Sequence, residues 1–388
     1  MTRIVPEFGT PNGETLGPMI LTSLSLFGFR NLAEQSLRFL PQINIISGSN
    51  GQGKTNLLEA IYVLGFSRSF RTHQSRDLIQ HNASSFGVSG TVLSKGNEFN
   101  LSVEQNTDGK VLQVGGSKRE VFDYLGHLDL VVFASLQIEQ FKAEAEYRRR
   151  LVDRGLYHLQ PGHLRRMAGY SRVVKQKNSL LRETASVYTK STAELLDVWD
   201  YQIAELGAKI IEARQLYVEK VREKLRVRSN CFTPEALDIK YLAANEISST
   251  SSLADIQFQL STRLRNHRER EIRLRRSIVG PHRDEIAAEV DGDSIQRYAS
   301  AGQQRSALLA FNLAQMEVYF DMYGEYPLFL VDDVDSELDE HRMNELLQIL
   351  ESKTQVFVTT TKPGLIRGGE RPSLTFQLSN GHAKESGG

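Results

Sequence analysis

Cysteine is almost missing from this sequence: Cys231 is the only one in 388 residues, so no internal disulfide is available. A lone thiol in a chain of this length fits a reducing compartment, and a cytosolic location is expected. Long apolar runs are missing too. Stretches such as Leu328 to Val331 fall far short of the ~20 residues that cross a bilayer, so no membrane-spanning segment and no membrane partner are expected. The first residues lack the basic start and apolar run of a secretory signal. Net charge is also missing, with 47 Lys and Arg against 47 Asp and Glu, so overall charge says nothing in favour of nucleic acid. No internal repeat or low-complexity tract is present.

The length predicts two folding units, each with a core large enough to need neither disulfides nor metal. Residues 1–18 carry Pro6, Gly9, Pro11, Gly13, Gly17 and Pro18 and read as a flexible extension, with the organised chain beginning at Met19. Residues 381–388 read as a flexible tail. Charge is unevenly spread. Between Lys142 and Lys177 the basic residues Arg148, Arg149, Arg150, Arg154, Arg165, Arg166, Arg172 and Lys175 outnumber the acids. A second basic run holds Arg263, Arg265, Arg268, Arg270, Arg273, Arg275 and Arg276. Either run alone reads equally well as a solvated helix face; together they point to a phosphate-facing surface, with Arg148 to Arg150 reading equally well as partners of acids within the fold.

Three sections follow one another. Up to Phe133 the pattern is mostly strand: Leu24 and Leu26 alternate with polar residues, Ile43 to Ile46 is a buried-type run, and Asp108-Gly109 marks a hairpin. From about Lys142 to Arg276 it is helical. Trp199, Ile203, Leu206, Ile210, Ala213 and Tyr217, spaced alternately by four and three, form one apolar stripe that reads as core packing. A polar loop at Ser248 to Ser252 interrupts this section. From Ile286 onward strands such as Leu328 to Val331 and Val356 to Thr360 alternate with helices, the rhythm of a mostly parallel sheet.

The most specific motif is Gly48-Ser49-Asn50-Gly51-Gln52-Gly53-Lys54-Thr55, set between the strand Ile43 to Ile46 and a helix-like stretch beginning at Asn56. This is the P-loop pattern. Its glycines let the backbone curl so that successive N–H groups, aided by the helix start, face a β-phosphate. Lys54 is expected to bridge the β- and γ-phosphates, and Thr55 to offer its hydroxyl to Mg2+. A partner acid is expected at the end of a buried strand, and Leu328-Phe329-Leu330-Val331-Asp332-Asp333 has that form. Asp332 reads as the metal-side carboxylate. Asp333 stands where ABC-type ATPases usually carry a glutamate that positions or deprotonates the attacking water, and its shorter side chain implies slow turnover.

Tyr298-Ala299-Ser300-Ala301-Gly302-Gln303-Gln304-Arg305-Ser306 resembles the ABC signature. In that superfamily the serine, the glycine and the helix N-terminus bind the γ-phosphate held by another subunit, which a helix start favours electrostatically. Ser336-Glu337-Leu338-Asp339 then falls at the position of the D-loop, which the superfamily places at the dimer seam. Further matches, in order and approximate spacing, are Phe29-Arg30-Asn31, Gly65 to Thr72, Arg148 to Asp153 and Gly280-Pro281-His282-Arg283-Asp284. On these the chain resembles the RecF family of ABC/SMC-type ATPases from Met19 to about Gln377.

The resemblance implies an α/β fold: an ABC/SMC-type ATPase head domain with an inserted helical lobe. The nucleotide lobe would occupy 19–135 and 277–380, and the helical arm 136–276. It implies ATP and Mg2+ as cofactors. Gly48, Ser49, Asn50, Gly51, Gln52, Gly53, Lys54, Thr55, Asn56, Arg30, Asn31 and Arg71 would surround the nucleotide, with Ser300, Gly302 and Gln303 acting from a second copy. Lys54, Asp332 and Asp333 would be catalytic, and Thr55, Asp332 and Gln137 the metal side. It implies an ATP-dependent homodimer that binds double-stranded and gapped DNA, hydrolyses ATP slowly, and acts with RecR and RecO to help place the RecA recombinase.

Departures from the family pattern are also on view. Ala134-Ser135-Leu136-Gln137 replaces the usual Ser-Pro-Glu-Asp, which puts coupling between nucleotide and arm in question. Residues around Arg276-Ser277 replace a common glycine and threonine. Thr359-Thr360-Thr361 stands where many transporters carry a histidine. His282 has no second ligand at suitable spacing and reads as a hydrogen-bonding residue. Two other classes stay open at this level, the ATPase subunit of a transport or SMC-like complex and a nucleotide-locked interaction protein without turnover.

Overall fold

The computed structural model describes residues 17–183, 189–232, 237–243, 252–366 and 372–386. Residues 1–16 of the expected extension lie outside them, as do 244–251, which take in most of the polar loop. The chain begins with β1 (Ile20–Phe27), β2 (Gln35–Arg38), β3 (Ile43–Ser47), α1 (Lys54–Phe66), β4 (Phe86–Ser94), β5 (Asn97–Asn106), β6 (Gly109–Val114), β7 (Ser117–Lys118), α2 (Val121–Tyr124) and β8 (Leu130–Phe133). Next come α3 (Ser135–Ala143), α4 (Ala145–Leu159), α5 (Pro161–Glu183), α6 (Lys190–Phe232), β9 (Leu237–Leu242), α7 (Leu253–Leu274), β10 (Glu285–Val290), β11 (Asp293–Ser294) and α8 (Ala301–Tyr323). It closes with β12 (Leu328–Val331), α9 (Val334–Glu337), α10 (Glu340–Glu351), β13 (Val356–Thr360), β14 (Ser373–Ser379) and β15 (His382–Ser386). Two compact units result, one from the chain up to Glu139 together with the chain from Gln315, the other Gln140–Ala314.

The first unit has two sheets. One is antiparallel, in the order β2-β1-β4-β5-β6-β7, and its β5–β6 hairpin turns at Thr107-Asp108, one residue before the glycine that marked it. The other has the order β15-β14-β3-β13-β12-β8, parallel from β14 to β8. Every residue of β3, β12 and β13 is buried, which is why these strands read as unbroken apolar runs rather than alternating ones. The tail expected to be flexible from 381 instead pairs with β14 through β15, His382 facing Ser379 and Ser386 facing Thr375. Alternation of polar and apolar residues is too weak there to have revealed an edge strand.

The second unit centres on α5, α6 and α7. Ile203, Ile210 and Ala208 of α6 pack with Val173, Ile256, Leu260, Leu264 and Val279, so the expected stripe does face a core. Gly207 lets the helix come close: a Cβ there would stand 3.1 Å from Pro281 and 3.2 Å from Leu260. Ser252 and Asp255 form a reciprocal capping box that starts α7, satisfying amides the helix itself leaves open. The unit is not purely helical. It contains the sheet β11-β10-β9 and runs to Ala314, well past the arm boundary expected at 276. Register explains the difference: β10 pairs with β9 from Glu285↔Leu242 to Val290↔Leu237, a long-range pairing that local periodicity does not encode.

Candidate nucleotide site

The loop that follows β3 curls tightly over the start of α1. Gly48 has φ 153° and a Cβ there would meet the Leu378 carbonyl at 2.5 Å; Gly53, with φ 107°, has Asn31 Oδ1 at 2.7 Å from the same imagined atom. Larger residues would push the loop off its neighbours. Gly53 is the N-cap of α1 and supplies no side chain, so the first amides of the helix stay available to an anion. Lys54 folds back into the loop, its Nζ donating to the Gly48 carbonyl (2.6 Å), the Ser49 carbonyl (3.1 Å) and Asn50 Oδ1 (3.5 Å). These carbonyls hold the ammonium where incoming phosphate oxygens would take it over. Gln52 Oε1 accepts from the Asn380 amide (2.6 Å), which ties the loop to the β14–β15 turn.

The acidic strand end lies beside the loop although nearly the whole chain separates them. Thr55 Oγ1 donates to Asp332 Oδ1 at 2.9 Å. Strand order explains the meeting, since β13 lies between β3 and β12 and all three run parallel, bringing their C-terminal ends together. Thr359 of β13 fills the gap: its hydroxyl donates to Asp332 Oδ1 (2.8 Å) and accepts from the Asp333 amide (2.7 Å). Burial raises the Asp332 carboxyl above the usual range, the two threonine hydroxyls oppose the rise, and Asp333 adds to it. Asp333 sits in the left-handed region at φ 52°, uncommon for a residue with a side chain.

Around the loop runs a charged girdle. Glu59, on α1, is wholly buried. Arg30 grips it with Nε to Oε2 (2.9 Å) and Nη2 to Oε1 (2.8 Å), Arg71 Nη1 reaches Oε2 at 3.3 Å, and Ser69 donates to Oε1. Arg71 also donates to Asn56 Oδ1 (2.8 Å), Asn56 to Asn31 Oδ1 (2.7 Å), and Asn31 to the Gly51 carbonyl (3.2 Å). Arg30, Asn31, Asn56 and Arg71 therefore do gather at the loop. Glu59 is missed by the sequence reading altogether, and Thr359 is noted there only as standing where many transporters carry a histidine, not as a partner of Asp332. Glu59 is the only charged residue of α1 after Lys54, and a lone carboxylate in an apolar helix requires a cationic partner.

Thr55 and Asp332 offer the hard oxygen donors that suit Mg2+, and buried Gln137 leaves Oε1 without a hydrogen-bond partner. Gln137 follows β8, whose Phe133 carbonyl accepts from the Asp332 amide at 2.9 Å, so it stands at the same end of the sheet. The donor set fits the ion. Among the described residues no group of three or more His, Cys, Asp or Glu could hold a metal ion.

Ser300, Gly302 and Gln303 belong to the second unit. Ser300 Oγ accepts from the Gln303 amide (3.2 Å) and Gln303 Oε1 from the Ser300 amide (2.8 Å), a reciprocal cap at the start of α8. Gly302 lies in the first turn, and a Cβ there would meet only Ser300 Oγ, at 3.9 Å. Of the arginines at 148–150, Arg148 is turned to interior contacts, while Arg149 and Arg150 are half-buried. Arg148 is buried and donates to Glu285 Oε1 (2.9 Å) and the Ile286, Phe141 and Lys142 carbonyls; Arg149 donates to the Asp284 carbonyl (2.6 Å). Arg150 pairs with Glu144 at 3.5 Å. Arg268 pairs with Asp197 and Asp200, and Lys177 with Asp200 and Glu271. Arg172 and Lys175 on α5 remain exposed, as do Arg270, Arg273, Arg275 and Arg276 at the end of α7. His282 makes hydrogen bonds, as expected, its Nδ1 lying 2.6 Å from the Tyr170 hydroxyl.

Comparison with known proteins gives the family. Residues 20–384 match the family described as RecF/RecN/SMC N terminal domain. The chain is 34% identical to the DNA replication and repair protein RecF of Oceanobacillus iheyensis over 346 residues, 88% of this chain and 94% of that one. It is 33% identical to the protein of the same name from Halothermothrix orenii over 368 residues, 94% and 98% of the two chains. A solved structure described as the recombination mediator protein RecF-ATPrS in the RecFOR pathway superposes with a TM-score of 0.88 at 31% identity, covering 96% of this chain and 99% of that one. An Smc head domain from Pyrococcus furiosus shares the fold, with a TM-score of 0.55 at 15% identity.

Proposed function

The chain belongs to the RecF family of DNA replication and repair proteins, within the wider RecF/RecN/SMC group, and from that premise we propose that it is an ATP-switched, DNA-binding factor of recombinational gap repair. The observation that carries this reading is the 2.9 Å contact between Thr55 and Asp332, which joins the phosphate loop to the acidic strand end. Amides of the loop and of the first turn of α1 would hold the β-phosphate, and Lys54 would move from the Gly48 and Ser49 carbonyls to the β- and γ-phosphates. Thr55, Asp332 and Gln137 would hold Mg2+. The ion supplies charge neutralisation of the phosphates when bound. Asp333 would orient the attacking water, and its short side chain suits a slow hydrolysis that acts as a switch.

Ser300, Gly302 and the α8 start would meet the γ-phosphate held by another copy, so ATP would join two chains into a dimer. The exposed cations Arg172, Lys175, Arg270, Arg273, Arg275 and Arg276 are the best supported contacts to duplex phosphates. Double-stranded DNA at single-strand gaps is the proposed substrate surface, with RecR- and RecO-like mediators as partners in a cytoplasmic setting and placement of RecA as the outcome. Family membership displaces the transport reading. Among the described residues no helix is long and apolar enough to cross a membrane.

Sedimentation velocity with ATP–Mg tests the proposal. A shift from monomer to dimer is expected, abolished in Ser300→Arg while nucleotide affinity stays near wild type. A Ser300→Arg protein that still dimerises with ATP would remove the signature helix from the joint.

A further inference from the structure

The three residues that follow Asp333 and Val334 each tether to a different part of the first unit. Asp335 accepts from Thr360 Oγ1 (2.6 Å), the Thr361 amide (2.6 Å) and Thr361 Oγ1 (2.9 Å) at the end of β13. Glu337 Oε1 accepts from Ser135 Oγ (2.5 Å) at the start of α3. Between them, Ser336 Oγ donates to Asp333 Oδ2 at 2.5 Å and lies 3.0 Å from the Asp333 carbonyl. Asp333 is thus held at both ends, its amide by Thr359 and its carboxylate by Ser336, in a left-handed backbone conformation that needs such support.

We propose that Ser336 is a positioning residue that fixes which oxygen of Asp333 faces the attacking water. The inference rests on the reading of Asp333 as the water-handling acid. In that reaction a water oxygen attacks the γ-phosphorus and the bond to the β–γ bridging oxygen breaks. ADP and phosphate leave, the carboxylate accepts a hydrogen bond that orients the water, and the water's proton passes to an oxygen of the departing phosphate. A carboxylate one methylene shorter than glutamate has less reach, so its aim matters more. With Oδ2 already accepting from Ser336, Oδ1 is the oxygen less engaged and better placed to accept from water. Asp335 and Glu337 are the outer stays, anchoring the short helix α9 to β13 and α3 so that the serine hydroxyl keeps its place. Within the chain Ser336 is exposed and packs into no core, so Ala removes the hydroxyl without opening a cavity.

The test combines equilibrium titration with a fluorescent ATP analogue, single-turnover phosphate release, and amide exchange over 333–337 without nucleotide, on the full chain. Ser336→Ala is expected to slow release roughly tenfold, leave nucleotide affinity within about twofold and speed exchange at 333–337. Ser336→Thr, which keeps the hydroxyl, is expected to restore most of the rate. An Ala variant with unchanged or raised turnover overturns the proposal, as does a Thr variant as slow as the Ala one. Asp333→Asn separates the two levels: if it turns over like wild type, the assignment of Asp333 itself falls and takes this inference with it.

Discussion

At the scale of single residues, the site depends on a buried carboxylate balanced by two partly exposed arginines. Glu59 is fully buried and accepts from Arg30, Arg71 and Ser69, so its ionised form fixes both guanidinium groups beside the phosphate loop. Glu59→Gln keeps the shape but removes the charge. It is expected to cost about 3 kcal/mol in urea unfolding, because two arginines then lose their shared counter-ion. A variant as stable as wild type would mean that the girdle is decorative. The sequence announced the loop and the acid pair because glycine spacing and an apolar strand ending in two acids are local patterns. It did not announce Thr359, whose part arises only from the placement of β13 between β3 and β12.

At the scale of elements, the second unit is organised by buried polar pairs. His282 bonds to Tyr170, and burial, against a hydrogen bond to the Ser277 carbonyl, lowers its imidazole from 6.5 to about 4. The folded state therefore keeps His282 neutral while the unfolded chain binds a proton below pH ~6.5. Its contribution is intact above that pH and is lost progressively as pH falls towards 4, by about 3 kcal/mol in all. Urea unfolding of wild type and His282→Gln across that window is expected to show a shallower acid decline in the variant. Parallel curves would assign the decline to other groups. The arginine runs show why composition misleads. Arg148 and Arg268 occur in basic stretches yet bind acids inside the unit, and only position on the folded helix separates them from Arg273, Arg275 and Arg276. Anisotropy titrations of labelled duplex at several salt concentrations should show the difference. Charge reversal of Arg273, Arg275 and Arg276 to glutamate is expected to weaken binding and flatten the salt dependence. Arg148→Ala is expected to lower stability and leave the slope unchanged; a flattened slope there would return Arg148 to the DNA surface.

At the scale of the whole molecule, sequence order and spatial order diverge. The P-loop begins at Gly48 and its acidic partner stands at Asp332, with the entire second unit inserted between them, yet Thr55 and Asp332 share a hydrogen bond. The order sheet, helices, sheet was legible from the βα rhythm and the helical stripe, and the head with its inserted lobe from the family resemblance. The lobe's own sheet and the β15 strand were not, because both rest on pairing partners far away in the chain. Everything functional follows from the claim that these two distant segments hold one magnesium-bound triphosphate. The most direct measurement is calorimetric titration of the protein with ATP, with and without Mg2+, for wild type, Lys54→Ala and Asp332→Asn. One site per chain is expected, lost in Lys54→Ala and made insensitive to Mg2+ in Asp332→Asn; ATP binding of wild-type strength in Lys54→Ala, or undiminished Mg2+ dependence in Asp332→Asn, would contradict it.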